Sequence, residues 1–229
     1  MSRARRAGPA ALSSALVLAL VVASLATAAH RPFPRSSSAA SPGGGTAAVA
    51  WPASTLLISE IQTGGASASD EFAELANAGP IAVDLIGLEL VYATSTGSTV
   101  TRKATWASSR ILEPGRHLLV ANAAGIVAGS ADATYSGGFA GTGGAVVLRP
   151  VGGSPIDAVA WGDATNAFVE GVAASAPAAG SSIERRPGGA SGNGIDTNDN
   201  AADFQVATPN PQNLASAPTP DPGASPSPT

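Results

Sequence analysis

Apolar residues in this chain come in short bursts separated by small and polar residues. Leu56-Leu57-Ile58-Ser59-Glu60-Ile61 precedes a Gly-rich break, and Glu71-Phe72-Ala73-Glu74-Leu75-Ala76 follows it. Further bursts fall near 88–93, 99–106, 117–121, 145–149, 156–161, 182–185 and 204–206. Each is of strand length and bounded by Gly, Pro, Ser or Asn, whereas apolar spacing of helical period is missing after residue 30. Ser95-Thr96-Gly97-Ser98 and Glu113-Pro114-Gly115 read as turns. Some bursts alternate, with Val100 facing away from Thr101 and Lys103. Others, Leu118-Leu119-Val120 and Ala145-Val146-Val147-Leu148, are continuously apolar, as strands covered on both faces are. The pattern predicts an all-β sandwich or barrel over residues 54–215.

Composition adds to this picture. Charged residues make up 12% and aromatics 4%, with 27 Gly and 18 Pro, which favours a turn-rich β fold over a helical one. The core is then expected from Leu, Ile, Val and Ala, with Trp106, Trp161 and Phe204 as large fillers.

The ends read differently. Arg3, Arg5 and Arg6, an apolar run over 10–26 and Ala26-Thr27-Ala28 predict a signal peptide, 1–28, cleaved after Ala28 and marking an exported chain. An uncleaved anchor is the alternative, and the sole membrane contact foreseen. Residues 29–53 read as a disordered Ser/Gly/Pro linker, 164–180 as a loop, and 216–229 as a disordered Pro/Ser/Thr-rich tail. There is no cysteine, so disulfides and thiolate metal sites are excluded. Loss of three arginines with the leader takes the formal charge from −4 to −7. With no basic stripe in an acidic domain, nucleic acid is disfavoured as a partner.

Candidate chemistry is sparse. Glu60 and Glu74, with Glu71 near, could form a two-carboxylate hydrolase site, yet no aromatic platform for a sugar accompanies them. His117 has no Gly-x-Ser-x-Gly serine to serve, and it reads as a strand residue. No catalytic residue is therefore expected. Asp196, Asn198, Asn200 and Asp203 offer oxygen ligands for calcium, the one cofactor foreseen, although turn capping by Asp and Asn explains the same residues. Arg185-Arg186 reads either as an anion contact or as compensation for nearby carboxylates.

Several segments, in order, resemble the lamin tail domain. Leu56 to Leu90 carries the opening strands and Asp84-Leu85-Ile86-Gly87 with Leu90, and Leu112-Glu113-Pro114-Gly115 is similar to the family's Leu-x-Pro-Gly turn. Gly144-Ala145-Val146-Val147-Leu148 and Ile156-Asp157-Ala158-Val159-Ala160-Trp161-Gly162 resemble the next strands. Ser182-Ile183-Glu184-Arg185, Asp196-Thr197 through Asp203-Phe204, and Thr208-Pro209-Asn210-Pro211-Gln212-Asn213 resemble its end. The resemblance implies an immunoglobulin-like β-sandwich that binds or tethers and does no chemistry, with Glu60 and Glu74 in structural roles. A protein or an envelope polymer is the expected partner. The alternatives are a secreted hydrolase or its accessory, and a surface protein whose Pro-rich tail spans the cell wall.

Overall fold

The structure, a computed structural model, describes residues 51–220; the predicted signal peptide, most of the linker and the end of the tail lie outside them. The chain forms β1 (Leu56–Thr63), β2 (Glu71–Asn77), β3 (Val83–Asp84), β4 (Leu88–Thr94), β5 (Val100–Thr105) and β6 (Ile111–Leu112). It continues through β7 (His117–Asn122), β8 (Ala133–Tyr135), β9 (Gly143–Pro150), β10 (Asp157–Gly162) and β11 (Ser182–Arg185), then one helical turn, α1 (Asn200–Asp203), and β12 (Phe204–Ala207).

Ten of these strands make two sheets, ordered β12-β11-β1-β2-β7-β8 and β10-β9-β4-β5, and β3 with β6 forms a small ribbon. All pairings are antiparallel except β7 with β8. This is the immunoglobulin-like sandwich that the sequence implied. The two- and three-residue strands β3, β6 and β8 are too short to show a period of their own.

One core lies between the sheets. Leu56, Ile58, Ile61, Leu75, Leu118, Val120 and Ile183 meet Leu90, Tyr92, Val146, Leu148, Val159 and Trp161. Burying each large side chain contributes about 1.5–3 kcal/mol. The continuous apolar strands are covered on both sides. Val91, Ala145, Val147, Ala158 and Ala160 pack outward beneath Trp51, Phe168, Val169 and Ala173, so the 164–180 insert shields the four-stranded sheet. Leu119 and Phe72 pack outward beneath Val127 and Ala131. Trp161 and Phe204 are core residues, and Trp106 closes the core at its margin.

The two sheets are joined at a β-bulge in β1 between Ile58 and Glu60. There the Ile58 N–H donates to Asp157 Oδ2 (2.5 Å) on β10. The Ile58 carbonyl accepts from Arg185 Nε (2.9 Å) on β11. Arg185 Nη2 donates to both Asp157 oxygens, at 2.8 and 3.0 Å, and its guanidinium lies 4.7 Å from the Phe204 ring centre. Both charged side chains are fully buried.

Removing one member of such a pair strands the other charge in the core. Arg185→Met is therefore expected to lower the unfolding free energy by about 3–5 kcal/mol, read from the midpoint of a urea titration. A midpoint equal to wild type would show that the pair does not join the sheets.

Candidate functional site

The outer face of the six-stranded sheet carries most of the residues that the sequence singled out. Register places Glu184, Glu60 and Glu74 side by side on β11, β1 and β2. Like charges directly opposite repel, and here they are relieved from above. The segment after β12 crosses the face as an extended strap. Asn210 N–H donates to Glu60 (3.1 Å), Gln212 N–H to Glu74 (2.5 Å) and Leu214 N–H to Asp132 (3.0 Å). Pro209 and Pro211 occupy the intervening positions, where no donor is required.

Ser216 and Thr219, placed by the sequence reading in the tail, also bond to the body. Arg116 donates to the Ser216 carbonyl, and Thr219 N–H donates to Gly115 O at 2.9 Å. Gly115 is in the left-handed region (φ +70°), and a Cβ there would stand 2.6 Å from Thr219 O. The strap thus passes where only glycine leaves room.

Glu60, Glu74 and His117 do converge. His117 Nδ1 lies 2.6 Å from Glu74 Oε1, and its Nε2 lies 3.0 Å from Thr219 Oγ1. Ser59 Oγ donates to the same Glu74 oxygen at 2.8 Å. A hydroxyl, an imidazole and a carboxylate in series are the parts of an acyl-transfer triad. The cavity beside Thr219 measures about 10 Å³, the space of one water at most. These groups fasten the strap to the sheet.

The four calcium candidates turn to different partners. Asp199 caps α1 by accepting from Ala201 N and Ala202 N, and Asp203 accepts from Thr197 N and Oγ1. Asp196 accepts from Asn198 N at 3.3 Å, and Asn198 is exposed with φ 58°. Asn200 is buried: its Oδ1 accepts from Ala160 N and its Nδ2 donates to Ala158 O. Glu170 accepts from Ala158 N (3.2 Å) and from Asn200 Nδ2 (3.1 Å). Two side chains thus take the place of a further strand along β10. Carboxylate oxygens of Asp157, Glu170 and Asp196 lie within 4.8 Å of one another. Arg185 stands among them, bonded to Asp157 and 3.5 Å from Asp196. The positive charge that this cluster needs is already supplied by a guanidinium. Arg186 donates to Gln205 Oε1 and Ala202 O on the surface. Arg185 therefore compensates carboxylates, and the tandem arginines form no joint anion contact.

A third group escaped the sequence reading. Lys103 is the extra residue of a bulge opposite Leu90 and Val91, so it turns inward from the edge strand β5. Its Nζ lies 4.7, 5.3 and 5.6 Å from the ring centres of Tyr135, Phe139 and Tyr92, and donates to Gly138 O at 3.1 Å. Glu71, across the sandwich, accepts from Phe139 N (2.8 Å) and from Asn122 Nδ2 (3.0 Å). Burial pushes the Glu71 carboxyl up and the Lys103 amine down. Glu71 and Asn122 line a cleft of about 610 Å³, which the Ser136–Gly141 loop borders. Simple alternation had put Lys103 with Thr101; only the bulge, invisible in the pattern, turns it inward.

Residues 50–163 match the model of the Lamin Tail Domain family. This chain carries a lamin tail domain. Among solved structures, it is similar to a DUF4876 family protein from Bacteroides thetaiotaomicron VPI-5482. The identity is 16% over 73% of this chain and 74% of that one, with a TM-score of 0.52, a likeness of fold alone. No curated protein matches. The family match ends at residue 163, yet β11, β12, Arg185 and Asn200 lie beyond it and complete this lamin tail domain's larger sheet and its β10 border.

Burial and the neighbouring Glu74 carboxylate push Glu60 up to about 8, against the bonds from Ser182 and Asn210. Burial, with Asp157 adding to it, lifts Glu170 to about 8 as well. A carboxyl that holds its proton more tightly folded than unfolded stabilises the fold fully below the unfolded value of 4.5, and this is lost as pH rises through about 8. The melting temperature of the lamin tail domain is therefore expected to fall across that window. Glu60→Gln, neutral throughout, should flatten part of the decline; an unchanged slope in that variant would show that Glu60 is ionised in the fold.

Proposed function

We propose that this lamin tail domain is an exported, non-enzymatic module that binds or tethers a protein through a strand edge and adjoining loops. The observation that carries this reading is the unequal treatment of the sheet borders among the described residues. The β10 border is closed by Glu170 and Asn200. The β5 border is bulged and carries an inward lysine, a device that discourages pairing. β8 is three residues long. β12 remains, with Val206 57% exposed on it. Beside it lies a groove of about 240 Å³ lined by Ser175, Arg186, Ala201, Gln205 and Val206. An extended segment of a partner can add to such an edge through main-chain hydrogen bonds, while the groove reads its side chains.

Export is supported by the leader-like first 28 residues. The non-enzymatic reading is supported by the employment of Glu60, Glu74 and His117 in holding the strap. An envelope partner follows from the exported location.

The test is recovery of a partner from envelope extract by the tagged chain and by Val206→Lys. A lysine on an exposed edge opposes strand addition and leaves the core untouched. Expected is a protein enriched over a tag-only control and reduced several-fold with Val206→Lys, whose melting temperature equals wild type. Nothing enriched, or equal recovery by the variant, would overturn the β12 assignment.

A further inference from the structure

The inward lysine is the chain's sole lysine beside eleven arginines. An inward positive charge that only guarded the β5 edge would be served equally by arginine. What lysine alone offers is an amine that can shed its proton and attack, which a guanidinium cannot. Around Lys103 are the conditions for that chemistry. Three aromatic rings enclose the ammonium stem, and no carboxylate lies within 4 Å of Nζ among the described ion pairs. The residue is 7% exposed.

A carboxamide and a carboxyl group on the other sheet bond to the same loop as Lys103. Glu71 and Asn122 are neighbours across β2 and β7, 2% and 7% exposed, and joined by the bond from Asn122 Nδ2 to Glu71 Oε2. The amine and the carboxamide are held on consecutive carbonyls of one loop: Lys103 Nζ donates to Gly138 O at 3.1 Å and Asn122 Nδ2 to Gly137 O at 3.0 Å. A Cβ at Gly137 would stand 3.7 Å from Nζ, so the amine lies against the very residue whose carbonyl holds the amide.

We propose that Lys103 and Asn122 form an intramolecular isopeptide bond, with Glu71 as the proton carrier. The Lys103 side chain swings from Gly138 O to Asn122, and the neutral Nζ attacks Cγ. Glu71 delivers a proton to Nδ2 and recovers one from Nζ. The Nζ–Cγ bond forms, the Cγ–Nδ2 bond breaks, and ammonia leaves. No oxidant, metal or co-reactant is consumed. Burial serves each step, since a dry site favours the neutral amine and the protonated carboxyl. The product ties β5 of one sheet to β7 of the other, in a chain without cysteine for a disulfide. Lys103 and Asn122 are the bonded residues and Glu71 the catalytic one.

Intact mass spectrometry of the purified full chain tests this. Expected is a mass about 17 Da below that of the processed sequence, the mass of ammonia, with a proteolytic fragment in which the peptides of Lys103 and Asn122 are linked. Lys103→Arg, Asn122→Ala and Glu71→Gln should each restore the full mass; Glu71→Gln keeps the shape of the side chain and removes its proton transfer. Full mass in the wild-type chain after prolonged incubation would overturn the proposal. So would a deficit that persists in Lys103→Arg, because loss of ammonia from an asparagine alone would then account for it.

Discussion

The buried Arg185–Asp157 pair is the constraint on which the sandwich turns. Beside the bulge in β1, β11 pairs only with Glu60 to Gln62, so the Ile58 N–H and carbonyl turn to side chains, and an unmet backbone group in the core costs as much as a lost hydrogen bond. Asp157 and Arg185 meet one each, from different sheets, and bind one another in a two-pronged contact. Desolvating two charges is costly, and such a pair is tolerable only when nearly every donor and acceptor is satisfied. Here Arg185 Nη1 also donates to the Ile195 carbonyl, and the guanidinium face rests on Phe204. The loop before α1, the insert carrying Glu170 and the last strand are thereby gathered around one side chain.

The acidic balance of the domain takes on meaning from the same logic. Its carboxylates are spent largely on backbone amides: Glu60, Glu74 and Asp132 on the strap, Glu170 on β10, Glu71 on the Phe139 amide. Carboxylates serve here where neighbouring strands would serve in a wider sheet. Carboxyl groups that composition alone would assign to the surface are therefore substantially interior.

Much of the architecture was legible because burial on two faces writes itself into short apolar runs. β1, β2 and β11 begin where the pattern placed them, and the 164–180 stretch is a loop. Pro209, Asn210, Pro211 and Gln212 alternate in the sequence, but it takes the carboxylate row to show why donors and prolines must alternate. The rest was hidden for a physical reason. A bulge changes which way a side chain points without changing the composition of its strand, so the inward Lys103 leaves no periodic trace. The place of Asn200 on β10 was hidden because an amide suited to a cation also suits a peptide edge.

The closure of β10 by side chains has a bearing on where this fold may be cut. The fourth strand of the smaller sheet is capped by Asn200, and Arg185 and β12 come later in the chain than residue 163. A fragment trimmed to the family's matched span would present the amides of Ala158 and Ala160 bare and open the edge of β1 that β11 covers, and such borders seek each other out. The described residues after 163 are thus cover for the first part of the sandwich as much as they are strands of it.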